Sequence, residues 1–144
     1  MKSAHALESD YRPPASPLPP PTVLCIDDDP EVSRLIESYL RDVDVQVLRS
    51  FHGMQGYAAA IKHDPAVIIM DVAMPNGDGL AILECLKRNR DTATIPVVLL
   101  SGMRDPSLPR RMFELGADQF LHKPVHCDVL RHELSRFIDL RPRM

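Results

Sequence analysis

Five short apolar runs, separated by amphipathic stretches, constrain this chain more than any other feature. The runs are Val23-Leu24-Cys25-Ile26, Val45-Gln46-Val47-Leu48, Ala66-Val67-Ile68-Ile69-Met70, Pro96-Val97-Val98-Leu99-Leu100 and Gln119-Phe120-Leu121-His122. Each is short, rich in apolar or β-branched side chains, and bounded by charged or turn-forming residues, so each predicts a strand. Most are apolar at every position rather than at every second one. That suits strands covered on both faces, as in a parallel sheet.

The intervening stretches carry helical spacing. Val32, Leu35, Ile36, Tyr39 and Leu40 form an i, i+3, i+4, i+7, i+8 stripe. Met54, Tyr57, Ala58 and Ile61 predict the apolar face of a second helix, and Leu80, Leu83 and Leu86 that of a third. Met112, Phe113 and Leu115, ended by Gly116, predict a short fourth, and Leu130, Leu134, Phe137 and Ile138 a fifth. Pro106 and Pro109 leave the start of the fourth open, because a mid-helix proline costs about 3 kcal/mol. Five β–α units with right-handed crossovers give an α/β, doubly wound, five-stranded parallel sheet, for which the flavodoxin-like order 2-1-3-4-5 is expected. Ligands of such sheets bind at the carboxyl ends of the strands.

A chain of 144 residues with 44% hydrophobic and 26% charged side chains fits one ordinary globular domain. No apolar run approaches the ~18 residues of a membrane span. No apolar segment follows Met1-Lys2-Ser3, so a cytoplasmic location without membrane contact is expected. Cys25, Cys85 and Cys127 are odd in number and far apart, which argues for reduced thiols rather than disulfides or a zinc site. Residues 21–103 carry 12 acidic and 7 basic side chains, residues 104–144 carry 6 and 8. Neither part is basic enough to predict direct nucleic-acid binding. Six prolines between Pro13 and Pro21 predict a disordered Pro-rich tail over 1–21, ahead of a folded body over 22–144.

The strand ends hold the chemistry. Strand 1 runs into Asp27-Asp28-Asp29, strand 3 into Asp71, strand 4 into Ser101 and strand 5 into Lys123. Two like charges ~4 Å apart cost about 4 kcal/mol at an effective dielectric of 20, so converging carboxylates need a cation. Few, hard, solvent-open oxygen ligands suit Mg²⁺. A carboxylate nucleophile, a metal, a lysine and a hydroxyl are the parts phosphoryl transfer needs. Asp29 is a candidate cap of the first helix, with Pro30 at its first position. Asp78 and Gly79 suit a turn and helix start. His122, His126 and His132 fall on different elements and do not predict a metal cluster.

Four segments together resemble the receiver domains of two-component response regulators, of the chemotaxis-regulator type, over about residues 22–140. They are Leu24-Cys25-Ile26-Asp27-Asp28-Asp29, Asp71-Val72-Ala73-Met74-Pro75-Asn76-Gly77-Asp78-Gly79, Pro96-Val97-Val98-Leu99-Leu100-Ser101-Gly102 and Gly116-Ala117-Asp118-Gln119-Phe120-Leu121-His122-Lys123-Pro124. The resemblance implies that Asp71 is the phospho-acceptor, becoming 4-aspartylphosphate. It implies that Asp28, Asp71 and the carbonyl of Ala73 ligate Mg²⁺, with Asp27 on a metal-bound water. Ser101 would hydrogen-bond the phosphoryl group, Lys123 would pair with it, and Phe120 would be the switch aromatic that turns inward with Ser101. The Lys123-Pro124 peptide would be cis. Ala73 and Met103 would border the path of hydrolytic water, and neither side chain can orient one, so slow self-dephosphorylation is expected.

The implied function is a phosphorylation-dependent switch, not an enzyme beyond its own Mg²⁺-dependent phosphorylation and dephosphorylation. The partners implied are a histidine kinase or a histidine phosphotransfer protein of a phosphorelay, and a downstream effector. The readout face would run from the fourth helix to the fifth and bear Arg110, Arg111, Arg131 and Arg136. A homodimer through this face is a further expectation. With nothing following the fifth helix but a few residues, a stand-alone regulator without output domain is expected. Two alternatives stay open: a receiver belonging to a longer protein, and a haloacid-dehalogenase-type phosphohydrolase using Asp27 and Asp29. Lys123-Pro124 and Met74-Pro75 fit the receiver better.

Overall fold

The computed structural model describes residues 19–74, 79–102 and 104–144. Five strands form one parallel sheet: β1 (Thr22–Ile26), β2 (Gln46–Ser50), β3 (Val67–Asp71), β4 (Val97–Ser101) and β5 (Gln119–His122). Five helices alternate with them: α1 (Pro30–Tyr39), α2 (Gly53–His63), α3 (Gly79–Arg88), α4 (Leu108–Glu114) and α5 (Cys127–Leu134). The strand order is β2-β1-β3-β4-β5, as the sequence predicts. β2 starts and ends later than its apolar run, at Gln46 and Ser50.

Alternation along the strands feeds two cores, one on each face of the sheet. Leu24, Ile26, Ile68, Met70, Val97 and Leu99 pack with residues of α2, α3 and α4. Val23, Cys25, Val67, Ile69, Val98 and Leu100 pack with residues of α1 and α5. Both faces of β3 and β4 are therefore buried, and apolar up to the final Asp71 and Ser101, which explains their unbroken hydrophobic runs.

The helix ends follow local rules. Asp29 caps α1, its carboxylate accepting from the Glu31 N–H at 3.0 Å, with Pro30 in the first turn. Pro109 lies in the first turn of α4 and Pro106 precedes it, so neither proline interrupts the helix. Gly79 opens α3 where an added Cβ would lie 2.4 Å from the Val72 carbonyl oxygen. Asp78 falls outside the described residues. α5 ends at Leu134, yet Ile138 beyond it is still buried against the same core.

Two apolar stripes differ from expectation. Met54, Ala58 and Ile61 of α2 face outward, Met54 at 63% exposure, while Gly53, Gly56 and Ala60 face the sheet. The helix lies so close to β1 that only small residues fit: a Cβ on Gly56 would sit 2.4 Å from Ile26 Cδ1. Ile36 of α1 and Leu40 just past its end are buried, but Leu35 is not.

The C-terminal segment folds back onto the connection between α1 and β2. Val43 and Pro142 form an antiparallel bridge. The Arg143 guanidinium donates to the carbonyls of Arg41, Val43 and Val45 at 2.9–3.2 Å. Of the tail expected over 1–21, residues 1–18 lie outside the described residues. At the end of that expected tail, the Pro21 carbonyl accepts from the Gln46 N–H of β2.

Gly56→Ala is expected to destabilise the fold by about 1–3 kcal/mol through overpacking. Denaturant unfolding measures this; an unchanged midpoint would mean that α2 moves away from Ile26 at no cost.

Candidate functional site

The parallel sheet delivers its strand ends to one edge. β1 and β3 are neighbours in register, Ile26 opposite Met70, so the residues that follow, Asp27 and Asp71, come together. β3 pairs with β4 and β4 with β5, the last pair setting Ser101 opposite His122. Lys123, one residue further, then reaches back across the sheet edge. Its Nζ stands 3.0 Å from Asp27 Oδ2 and 3.4 Å from Asp71 Oδ2. The Lys123-Pro124 peptide is cis.

Carboxylate oxygens of Asp27, Asp28 and Asp71 lie within 4.8 Å of one another. Asp27 is 1% and Asp71 6% exposed, whereas Asp28 is open to solvent. Two of the three are held by hydrogen bonds. Asp27 Oδ1 accepts from the Asp29 N–H at 2.9 Å, and Asp71 Oδ1 from the Ala73 N–H at 3.1 Å. Burial pushes the Asp27 carboxyl above its ordinary range, against the opposing pull of the Asp29 N–H and the Lys123 ammonium. Burial also works against the charge of Lys123, but its hydrogen bond to Asp27 and the charges of Asp27 and Asp71 outweigh it and raise its pKa. One ammonium against three carboxylates leaves the site negative. Hard oxygen donors, two buried and one wet, fit a small divalent cation that keeps part of its water.

Ser101 is fully buried at the end of β4, and its carbonyl accepts from the Lys123 N–H at 2.8 Å. Phe120 is buried in the core with its ring edge-on to His122, 5.3 Å between centroids. Ala73 is exposed beside Asp71. Met103 falls outside the described residues. Past Lys123 a groove of about 550 Å³ opens, lined in part by Arg104, Pro109 and His122. Among the described residues the donor atoms of Asp27, Asp28 and Asp71 converge as a group, and those of His122, His126 and His132 do not. Cys25, under the pocket, is a free thiol that burial, with the charge of Asp27, pushes up to about 12.

Of the arginines expected on the readout face, three are engaged within the chain. Arg110 pairs with Glu114 at 3.2 Å, Arg136 with Glu133 at 3.1 Å, and Arg131 reaches Asp42 before β2 at 2.9 Å. The sequence reading missed Arg49. It stands at the edge of β2 and donates to Ser33 Oγ at 2.7 Å and to the Pro30 carbonyl at 3.1 Å. Its signal is a lone arginine directly after an apolar run, too common a pattern to single out.

The family model of the response regulator receiver domain matches residues 23–135. The chain is 35% identical over 110 residues to the DNA-binding dual master transcriptional regulator RpaA of Synechocystis, covering 76% of this chain and 46% of that protein. It is 34% identical over 106 residues to the transcriptional regulatory protein KdpE of Mycobacterium tuberculosis, covering 74% and 46%. The chain thus spans about half the length of these curated relatives. Among solved structures, the chemotaxis protein CheY4 of Vibrio cholerae superimposes with a TM-score of 0.77 at 25% identity, over 83% of this chain and 99% of that one. A response regulator from Chloroflexus aurantiacus gives 0.77 at 30% identity, over 82% and 97%.

The raised pKa of Asp27 has a consequence for stability. The folded state holds that proton more tightly than the unfolded chain, so this group makes stability fall as pH rises above its unfolded pKa, about 3.9. Without divalent cation, Asp27→Asn is therefore expected to be more stable than the parent at pH 7, with the difference shrinking as pH falls toward about 4. Urea melts at the two pH values check the sign. A variant weaker than the parent at pH 7 would show that the hydrogen bonds of Asp27 outweigh its burial.

Proposed function

Because the chain belongs to the response regulator receiver family, we propose that it takes a phosphoryl group from a phosphohistidine of a histidine kinase or phosphotransfer protein onto Asp71. The observation that carries this reading is the pocket in which Asp71 meets Asp27, Asp28 and Lys123 at one sheet edge. Asp28, Asp71 and the Ala73 carbonyl would hold Mg²⁺, with Asp27 behind a bound water. Bound there, Mg²⁺ supplies positive charge that offsets the carboxylates and the incoming phosphoryl oxygens.

The residues of the chain divide the remaining work. A carboxylate oxygen of Asp71 forms the new P–O bond as the donor's P–N bond breaks, and the leaving imidazole takes up a proton. Asp71 is held for this attack by the Ala73 N–H on its other oxygen. Lys123, already 3.4 Å from Asp71, follows the charge from the carboxylate to the phosphoryl group. The Ser101 hydroxyl donates to the same group. The acyl phosphate adds roughly −1.5 to −2 charge at pH 7.

That charge biases a two-state equilibrium in which Ser101 moves toward the phosphoryl group and Phe120 repositions. The face from α4 through β5 to α5 reports the change to an effector or to a second copy of the chain. Phe113 and Val129 are exposed there, at 45% and 46%, and offer apolar contact. With three of its arginines paired internally, this face depends less on free cations than its composition implies. Residues 1–21 act as a Pro-rich extension and 22–144 as the receiver body.

Two measurements test the reading. Mass spectrometry after treatment with a small acyl-phosphate donor and Mg²⁺ is expected to show one added phosphoryl group on the wild type and none on Asp71→Asn. An unmodified wild type, or modification persisting in Asp71→Asn, overturns the assignment. Acyl-phosphate decay is expected to be slow and to accelerate in Ala73→Asn with Met103→Glu, which restores polar groups beside the water path. Equal or slower decay in the double variant would remove Ala73 and Met103 from the account.

A further inference from the structure

Asp28 differs from the other two acids of the pocket in how it is held. Asp27 is fixed by the Asp29 N–H and by Lys123, and Asp71 by the Ala73 N–H and by Lys123. Among the described residues, no hydrogen bond or ion pair to the Asp28 carboxylate is found, and it is exposed. Its position therefore depends on the backbone of the turn that carries it, from Asp27 to Pro30.

That turn is clamped at both ends. At its start, the Asp27 N–H donates to the Ser50 carbonyl of β2 at 3.0 Å. At its far end stands Arg49, the neighbour of Ser50. The guanidinium donates through Nη2 to the Pro30 carbonyl at 3.1 Å and through Nε to Ser33 Oγ at 2.7 Å. Ser33, 1% exposed, passes the constraint on by donating its own hydroxyl proton to the Pro30 carbonyl at 3.2 Å. Arg49 is itself fixed from two more sides, by Glu37 at 3.4 Å and by the Phe51 ring, 5.2 Å from guanidinium carbon to centroid. An arginine with this many restraints acts as a brace between β2 and the first turn of α1.

We infer that Arg49 is a positioning residue for the metal ligand Asp28, bracing the turn that presents its carboxylate to Mg²⁺. The inference rests on the phosphoacceptor reading above and adds a residue to it. It has a sign that separates it from simple electrostatics. A cation near an acidic pocket repels Mg²⁺, so on charge alone its removal tightens binding. A brace does the reverse: its removal loosens the ligand. Residues that orient metal ligands typically cost 10–100-fold in affinity when replaced.

The test is Mg²⁺ affinity of the full chain by titration calorimetry, with no phosphodonor present. Arg49→Met is expected to weaken binding roughly tenfold, the low end of that range, and Arg49→Lys to recover part of the loss by reaching one of the two acceptors. Ser33→Ala is expected to weaken binding a few-fold with no change of charge, and it keeps the test alive if Arg49→Met fails to fold. Unchanged or tighter Mg²⁺ binding in folded Arg49→Met, or unchanged binding in Ser33→Ala when Arg49→Met is unfolded, overturns the role. Asp28→Asn is the control. If wild type does not bind Mg²⁺, or Asp28→Asn binds it equally well, the phosphoacceptor reading itself fails and takes this inference with it.

Discussion

Two buried carboxylates sharing one ammonium group organise the site and much of what surrounds it. Asp27 and Asp71 stand at the ends of adjacent strands because β1 and β3 are neighbours in the sheet. Left alone, the charge of Asp71 adds to the burial that already raises the Asp27 pKa. Lys123 answers that charge from β5, two strands beyond β3. The strand order, the position of the β5 end and the closeness of the two acids therefore depend on one another. Asp28 adds a third negative charge, so the pocket remains short of positive charge even with Lys123 in place. A site so poised has the hard oxygen donors that a small divalent cation takes.

The same economy shows in how the acids are oriented. Backbone N–H groups two residues downstream hold Asp27 and Asp71 in similar Asx-type turns. Asp29 uses that geometry to cap α1 instead. Three aspartates in a row thus do three different things. One is buried against lysine, one is exposed to solvent, and one ends its hydrogen bond on the helix that follows. Arg49 secures the turn from the β2 side. Tyr39 ties the other end of α1 to the loop after β5, its hydroxyl donating to the Val125 carbonyl at 3.0 Å. Helix α1 is anchored at both ends to elements that carry site residues.

Away from the pocket, polar side chains lock connections that the apolar cores leave free. Lys87 at the end of α3 donates to the Ile95 carbonyl and to Asp118, and Asp118 accepts from the Val97 N–H at 2.8 Å. This fixes the entry of β4 and of β5 together, and hence the register that sets Ser101 opposite His122. Among the described residues no helix is long and apolar enough to cross a membrane.

The sequence alone determined the elements and their order, and with them the convergence of Asp27, Asp28, Asp71 and Lys123. Strands buried on both faces must be continuously apolar, so β3 and β4 announce themselves. The carboxyl-end rule then brings the strand ends that carry Asp27, Asp28, Asp71, Ser101 and Lys123, scattered along the chain, to one edge of the sheet. Asp29 was legible as a cap because capping is a local interaction. What the sequence could not decide are matters of close approach and of long reach. Helical periodicity placed Met54, Ala58 and Ile61 inside, since it weighs hydrophobicity and not the gap to be filled. Only the packed structure shows that α2 meets Ile26 too closely for anything but Gly56 and its small neighbours. Arg49 on Pro30, Arg131 on Asp42 and Arg143 on three carbonyls span gaps in sequence that no local pattern encodes. Their geometry exists only once the sheet has brought those backbones together.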